Sequence, residues 1–348
     1  MLNRGFDIMK TTIKDVARLA GVSPSTVSRV ISDSPRISDE TKKTVKKAME
    51  KSGYHPNAIA RSLVNRSTNT IGIVMPQSTR QSFLNPFFPM TLSGISEAAH
   101  KEGYCLLLST GNDENEQLDS ILNIVMGGRV DGVIIMFSSL DDVILRCIAA
   151  LKIPVLIIGK PISSEGILYV DNDNVKAAYD VTEELIKRGH KKIGLISGPF
   201  SFMVSIDRLD GYRNALMHYG IEFSKKYIKE TQFLEDSGYN AMTELLTMKE
   251  SPTGIVITDD LMAFGAINAA KKLGVNIPKD IEIISFNNIP LAEFCSPSLT
   301  SVDINSTVLG YESAKLMIEK IKGIADKEKV IVPTKIVYRQ TLPLHKKN

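Results

Sequence analysis

The residues best suited to polar chemistry near the start of the chain lie in Ser23-Pro-Ser-Thr-Val-Ser-Arg29. At helical spacing, Ser25, Ser28, Arg29 and Ser32 share one face, while Val27, Val30 and Ile31 share the other. The polar face offers short hydroxyls and one guanidinium, and it carries no carboxylate. Such a set can hold phosphate oxygens and read base edges, the arginine pairing with a guanine through two hydrogen bonds. Catalytic chemistry finds no comparable cluster. The five histidines (His55, His100, His190, His218, His345) are dispersed, and none has a second histidine or a cysteine four residues on. There is no P-loop, no dinucleotide-binding glycine fingerprint and no Gly-x-Ser-x-Gly elbow. Asp259-Asp260 stand together at a helix start and read as a cap plus a ligand contact, not as an acid/base pair. Cys105, Cys147 and Cys295 have no metal or redox spacing and read as reduced thiols. The expectation is a protein without cofactor or metal that is not an enzyme.

The elements that must position the Ser23–Arg29 face are legible around it. Thr12 can cap a helix whose third residue is Asp15, and Ile13, Val16, Ala17 and Ala20 then form its buried face. Gly21 ends that helix, and Ser23 caps the next with Pro24 at its first position, where a missing N–H is harmless. A third helix starts at Ser38-Asp39-Glu40 and stops at Gly53. It buries Val45, Ala48 and Met49 and exposes Lys42, Lys43, Lys46, Lys47 and Lys51. This is a helix-turn-helix with a supporting helix. A plain helical bundle with a solvated lysine face would look similar, but the charge favours nucleic acid. Residues 1–66 carry 13 Lys+Arg against 6 Asp+Glu, a net +7, and the remainder carries 29 against 33, a net −4. A basic head on a weakly acidic body is the footprint of phosphate binding.

At 348 residues and 43% apolar composition, the chain is long enough for more than one buried core. No segment approaches a transmembrane length, and Met1–Ile8 lacks the apolar run of a signal peptide. A cytoplasmic protein is expected, with residues 1–8 a disordered extension. From Thr70 the pattern changes to short apolar strands (71–74, 105–108, 133–136, 155–158, then 193–196, 255–257, 281–286) alternating with amphipathic helices. Such alternation implies parallel sheets covered on both faces, with a ligand crevice beyond the strand C-termini.

The runs Ile13-Lys-Asp-Val-Ala-Arg-Leu-Ala-Gly-Val-Ser-Pro-Ser-Thr-Val-Ser-Arg-Val-Ile31 and Tyr54-His-Pro-Asn-Ala-Ile-Ala-Arg-Ser-Leu63 resemble the LacI/GalR family of bacterial transcription factors. The resemblance continues through Thr70–Val74, Asp131–Ile135, Asp207-Arg-Leu-Asp-Gly-Tyr212 and Leu299–Val302. It implies an α/β protein with a helix-turn-helix head, a hinge helix and a periplasmic-binding-protein-like core of two subdomains. The expected division is a head at 9–56, hinge helix and linker at 57–69, and an effector-binding core at 70–348. Within the core, 70–170 with 303–332 would form one subdomain and 171–302 with 333–341 the other. Three crossovers near Val170, Thr300 and Val332 would make a hinge that a cleft ligand can bias.

For DNA, the expected contacts are Thr12, Ser23, Ser25, Thr26, Ser28 and Arg29 in the head and Asn57, Arg61 and Leu63 in the hinge. The resemblance implies that paired hinge helices enter the minor groove and that Leu63 wedges between base steps there. A linker helix whose Leu63 packs on the core is the plainer alternative. For the effector, strand ends nominate Phe83, Asn85, Phe87, Asn112 and Lys160, with Phe88 read as an interface plug. Arg208, Asp259 and Asn287 match the family's polar contacts, although aspartate is common where Asn287 stands. If Arg208 serves only the ligand, its loss should leave folding intact. If instead it braces its own helix through Asp207 or Asp210, its loss should destabilise the protein.

The partners implied are operator DNA, a small sugar and a second copy of the chain, because a symmetric operator asks for a homodimer; no membrane is implied. Val170-Asp-Asn-Asp-Asn174, Phe286-Asn-Asn288 and Phe83–Phe88 resemble the maltose-operon repressors of Gram-positive bacteria most, which implies maltose or a related sugar. Two alternatives are a sugar-binding protein without DNA function and a regulator controlled by a phosphorylated carrier protein. The basic head argues against the first. The second is weakened because Tyr311-Glu-Ser-Ala-Lys-Leu316 offers only Lys315 as a basic residue.

Overall fold

The computed structural model describes residues 11–32, 34–54, 67–76, 79–109, 111, 114–140, 143–151, 153–162 and 166–344. The expectations for residues 1–8 and for the hinge residues Asn57, Arg61 and Leu63 lie outside them, as does Asn112. The chain divides into two compact units, Met1–Asn69 and Thr70–Asn348.

The first unit holds the three expected helices, Ile13–Ala20, Pro24–Ile31 and Asp39–Ser52. The Asp15 carboxylate accepts from the Thr12 N–H (3.0 Å) and the Thr12 hydroxyl (2.7 Å), which anchors the first turn. Gly21 follows at φ 67°, a left-handed conformation that lets the chain turn sharply into the second helix. Val16, Ala17, Val27, Val30, Val45 and Ala48 form a small core, and Thr11 donates to the Ser52 carbonyl (2.8 Å), tying the unit's start to the third helix.

The second unit contains two six-stranded sheets. The first has the order β11-β5-β4-β3-β1-β2, with β1 Thr70–Val74, β2 Cys105–Ser109, β3 Gly132–Ile135, β4 Val155–Ile158, β5 Leu168–Asp171 and β11 Lys329–Ile331. The second has the order β12-β10-β9-β8-β6-β7, with β6 Ile193–Ser197, β7 Ile228–Glu230, β8 Gly254–Ile257, β9 Glu282–Phe286, β10 Ser301–Asp303 and β12 Lys335–Val337. All pairings are parallel except β10 with β12. Strands β3, β4, β6 and β8 are buried along their whole length, as strands covered by helices on both faces must be, and this is why they read as unbroken apolar runs.

Five strands (β5, β7, β10, β11, β12) carried no sequence signal of their own. They are three or four residues long, and tertiary pairing defines them. The chain passes between sheets after β5, after β10 and after β11. Asn172 fastens these three passages together, because its amide donates to the carbonyls of Ile304 (3.1 Å) and Val332 (2.8 Å). The Phe87–Lys101 and Ser306–Ile321 helices cross at glycines: a Cβ at Gly310 would stand 1.9 Å from the Thr91 carbonyl oxygen.

Candidate functional sites

In the first unit, Ser23 caps the second helix by accepting from the Thr26 N–H (3.1 Å), and its hydroxyl also pairs with those of Ser25 (2.7 Å) and Thr26 (2.9 Å). Ser25 and Arg29 are exposed on this helix and Thr26 and Ser28 partly so, on the side away from Val27 and Val30. Thr12 and Ser23 serve first as caps. The Arg29 guanidinium has no hydrogen-bond or ion-pair partner among the described residues, and Lys43, Lys46, Lys47 and Lys51 are exposed on the third helix. The face thus offers one uncommitted fork of donors, ringed by hydroxyls and backed by lysines, which is what reading a base while neutralising phosphates requires.

The second unit gathers its polar residues where strands end. Asp259 follows β8 and caps the Asp260–Lys272 helix by accepting from the Leu261 N–H (2.8 Å). Its other oxygen accepts from Asn287 Nδ2 (2.8 Å) at the end of β9 and from Asn85 Nδ2 (3.0 Å). The last bond joins the part of the chain carrying the first sheet to the part carrying the second. Arg208, on the Met203–His218 helix, donates to the Thr258 carbonyl (2.6 Å) and to Asn174 Oδ1 (3.1 Å), and its guanidinium lies 4.2 Å from the Phe286 ring centroid. Asn174 in turn donates to Asp171 (2.9 Å) at the first passage between sheets.

Asn85, Asp259 and Asn287 therefore form one hydrogen-bonded set, and Arg208 lies against Thr258 and Phe286, the chain neighbours of Asp259 and Asn287. Lys160 is exposed beyond β4 and faces Asp207 electrostatically. Phe83 is 46% exposed, and Phe87 packs on the first sheet's core and edge-on to Phe88 at 5.0 Å. The Phe87 N–H donates to Asn85 Oδ1 (3.0 Å) and so steadies that amide, whereas no described contact joins Phe83 to the polar set.

Burial governs the electrostatics of this set. Arg208 is 4% exposed, and desolvation pulls it down to about 10 against the attraction of Asp259, Asp171, Asp260 and Asp207. Burial pushes Asp171 up to about 7 and raises Asp259 as well. Asp260 is also lifted to about 7 by burial, and it points away into the second sheet. It accepts from the hydroxyls of Ser285 and Ser301 and from the Ile289 N–H. Of the adjacent aspartates, then, one caps a helix at the strand ends and the other braces the sheet. Asp207 and Asp210 do not brace Arg208: among the described residues Arg208 makes no ion pair, and Asp210 pairs with Arg213 (2.8 Å).

Three aromatic residues beside this set were missed by sequence reasoning. Phe202 stands edge-on to Phe137 (6.3 Å between centroids) and tilted against Phe233 (6.1 Å), and all three are half-buried. The Phe233 ring covers Gly198 at the end of β6, whose N–H donates to Thr258. Beside Phe137 and Phe202 the main chain bridges the two halves, Leu140 N–H to the Ser201 carbonyl (2.8 Å) and Met203 N–H to the Ser138 carbonyl (3.0 Å). Each ring sits in a loop just past a strand. Their placement beyond strand ends was a usable signal, but their meeting across the bridge was not.

A DNA-reading helical head joined to a two-sheet α/β core with polar strand ends defines a transcription regulator of the ligand-binding type. The model of bacterial regulatory proteins of the lacI family matches residues 12–57. That of periplasmic binding proteins and the sugar binding domain of the LacI family matches residues 68–341. The chain belongs to the LacI family, and it is a DNA-binding transcriptional repressor with a domain of the sugar-binding type. The transcriptional regulator MalR of Streptococcus pneumoniae is 40% identical over 96% of this chain and 98% of its own. The structure of the transcriptional regulator CelR in complex with cellobiose matches with a TM-score of 0.75 at 30% identity, covering 95% of this chain and 99% of that one. The lac repressor dimer bound to operator and an anti-inducer matches with a TM-score of 0.82 at 25% identity, covering 96% and 99%. Among the described residues, no helix is long and apolar enough to cross a membrane.

Proposed function

We propose that the protein is a homodimeric repressor whose grip on its operator is set by a maltose-type sugar bound between the two sheets of the second unit. The observation that carries this reading is the Asn85–Asp259 hydrogen bond. It spans the two halves in one hydrogen-bonded set with Asn287, with Arg208 held on the neighbouring Thr258 carbonyl and with Phe137, Phe202 and Phe233 past the ends of nearby strands. Amides, a carboxylate and a guanidinium supply donors and acceptors for sugar hydroxyls, and half-buried rings supply apolar surface for the sugar's C–H face. Both halves contribute, so a ligand here has different contacts in an open and a closed arrangement, and that difference is what couples it to DNA. The 40% identity to MalR and the cellobiose complex of CelR support a disaccharide. In this reading Ser25, Thr26, Ser28 and Arg29 face the operator with Thr12 and Ser23 at the helix caps. Asn85, Lys160, Arg208, Asp259 and Asn287 face the sugar.

The test is reciprocal titration. An operator is first obtained by selection from random duplexes with the full chain, and its affinity is then measured by fluorescence anisotropy with maltose, maltotriose, cellobiose or trehalose. At least one sugar should shift operator affinity by about 5–150-fold, and the operator should shift that sugar's affinity by the same factor. A panel in which no sugar changes either operator affinity or the melting temperature overturns the proposal.

A further inference from the structure

We propose that the cleft admits uncharged sugars and rejects phosphorylated ones, and that Asp207 sets this exclusion; the inference rests on the sugar reading above. Asp207 is only 8% exposed, yet its carboxylate has neither a hydrogen bond nor an ion pair among the described residues. It lies on the second turn of the Met203–His218 helix, just past the bridge from Ser138–Leu140 to Ser201–Met203. The charged groups it feels are Lys160 from beyond β4, Asp210, Arg208, Asp173 and Asp171. Its oxygens are not among the fully enclosed polar atoms that lack a partner, so the carboxylate opens to solvent, where a ligand's donor can take the place of water. Sugar hydroxyls donate, whereas a phosphate monoester at neutral pH offers almost only acceptors and carries nearly two negative charges.

The rest of the wall points the same way. Arg208 is engaged by Thr258 and Asn174 and has Asp171, Asp207, Asp259 and Asp260 around it, so its charge is already spoken for. Lys160 is the other cation coupled to Asp207, and it is exposed, where water weakens its pull. A phosphate placed here would face several buried carboxylates that salt screens poorly. A neutral polyol would instead supply the hydroxyl that Asp207 lacks and rest its ring on Phe202 or Phe233.

Calorimetry on the full chain should compare matched pairs: maltose with maltose 6′-phosphate, trehalose with trehalose 6-phosphate, and cellobiose with cellobiose 6′-phosphate. For whichever pair binds, the neutral member should bind at least about 100-fold more tightly. Asp207→Asn keeps the shape and removes the charge. It should fold with an unchanged or raised melting temperature, bind the neutral sugar more weakly and shrink the discrimination at least about tenfold. A phosphorylated member bound as tightly as its parent sugar, or a ratio unmoved by Asp207→Asn, overturns the inference and leaves the sugar reading intact. Failure of every member of every pair to bind overturns both.

Discussion

Arg208→Ala separates a ligand contact from a buried structural cation, and the structure makes Arg208 both. The side chain is 4% exposed, so truncation strands its partners in the interior. The Thr258 carbonyl and Asn174 Oδ1 each lose a donor, the Phe286 ring loses its cation, and Asp171 and Asp259 lose the positive charge nearest them. Removing one member of a buried charged set costs about 3–5 kcal/mol, because what remains is uncompensated charge. For a unit of this size that is a fall of roughly 10 °C in Tm. Destabilisation of Arg208→Ala is therefore the expected outcome, and it does not depend on a brace to Asp207 or Asp210.

The pH dependence gives the sharper test. Asp171 titrates at about 7 when folded, above its ordinary value near 3.8, so the folded state holds an extra proton between these limits. The stability associated with that proton is fully present below about pH 4 and is lost as pH rises through about 7. Without Arg208 the carboxylates shift further up, so the variant's deficit should be larger at pH 8 than at pH 6. Urea unfolding of both proteins by circular dichroism at the two pH values measures this. A deficit under about 1 kcal/mol, or one equal at both pH values, would refute the electrostatic account.

Two further outcomes follow from other parts of the molecule. Gly310→Ala puts a Cβ 1.9 Å from the Thr91 carbonyl oxygen, so the two helices must part, and a stability loss above about 2 kcal/mol is expected in a denaturant melt; a loss under about 0.5 kcal/mol would mean the crossing is loose. Arg29→Ala should cost about 1–3 kcal/mol on the selected operator and little on random duplex, whereas Lys46→Ala should weaken both about equally; equal losses for Arg29→Ala would reassign it to phosphate holding.

The sequence by itself determined the local elements. The head is legible because its helices are short, capped and amphipathic: Ser23 with Pro24 and Ser38 with Asp39 mark their starts, Gly21 and Gly53 mark two of their ends, and all six fully buried positions recur at helical spacing. The central strands are legible because burial on both faces demands unbroken apolar runs such as Gly132–Ile135. Tertiary structure decided the rest. Strands of three residues such as Lys329–Ile331 and Lys335–Val337 bury none of their own residues, so they leave no pattern, and they exist through their neighbours' hydrogen bonds. Asn172 looks like one polar residue among several, and only the meeting of three passages makes it their clasp. Asp259 and Asp260 are chemically identical neighbours. The helix start at Asp260 turns one toward Asn85 and Asn287 and the other toward Ser285 and Ser301, so their different fates are set by direction, which a sequence does not contain. Phe137, Phe202 and Phe233 are separated by tens of residues and converge only because strands of both sheets end in the same place.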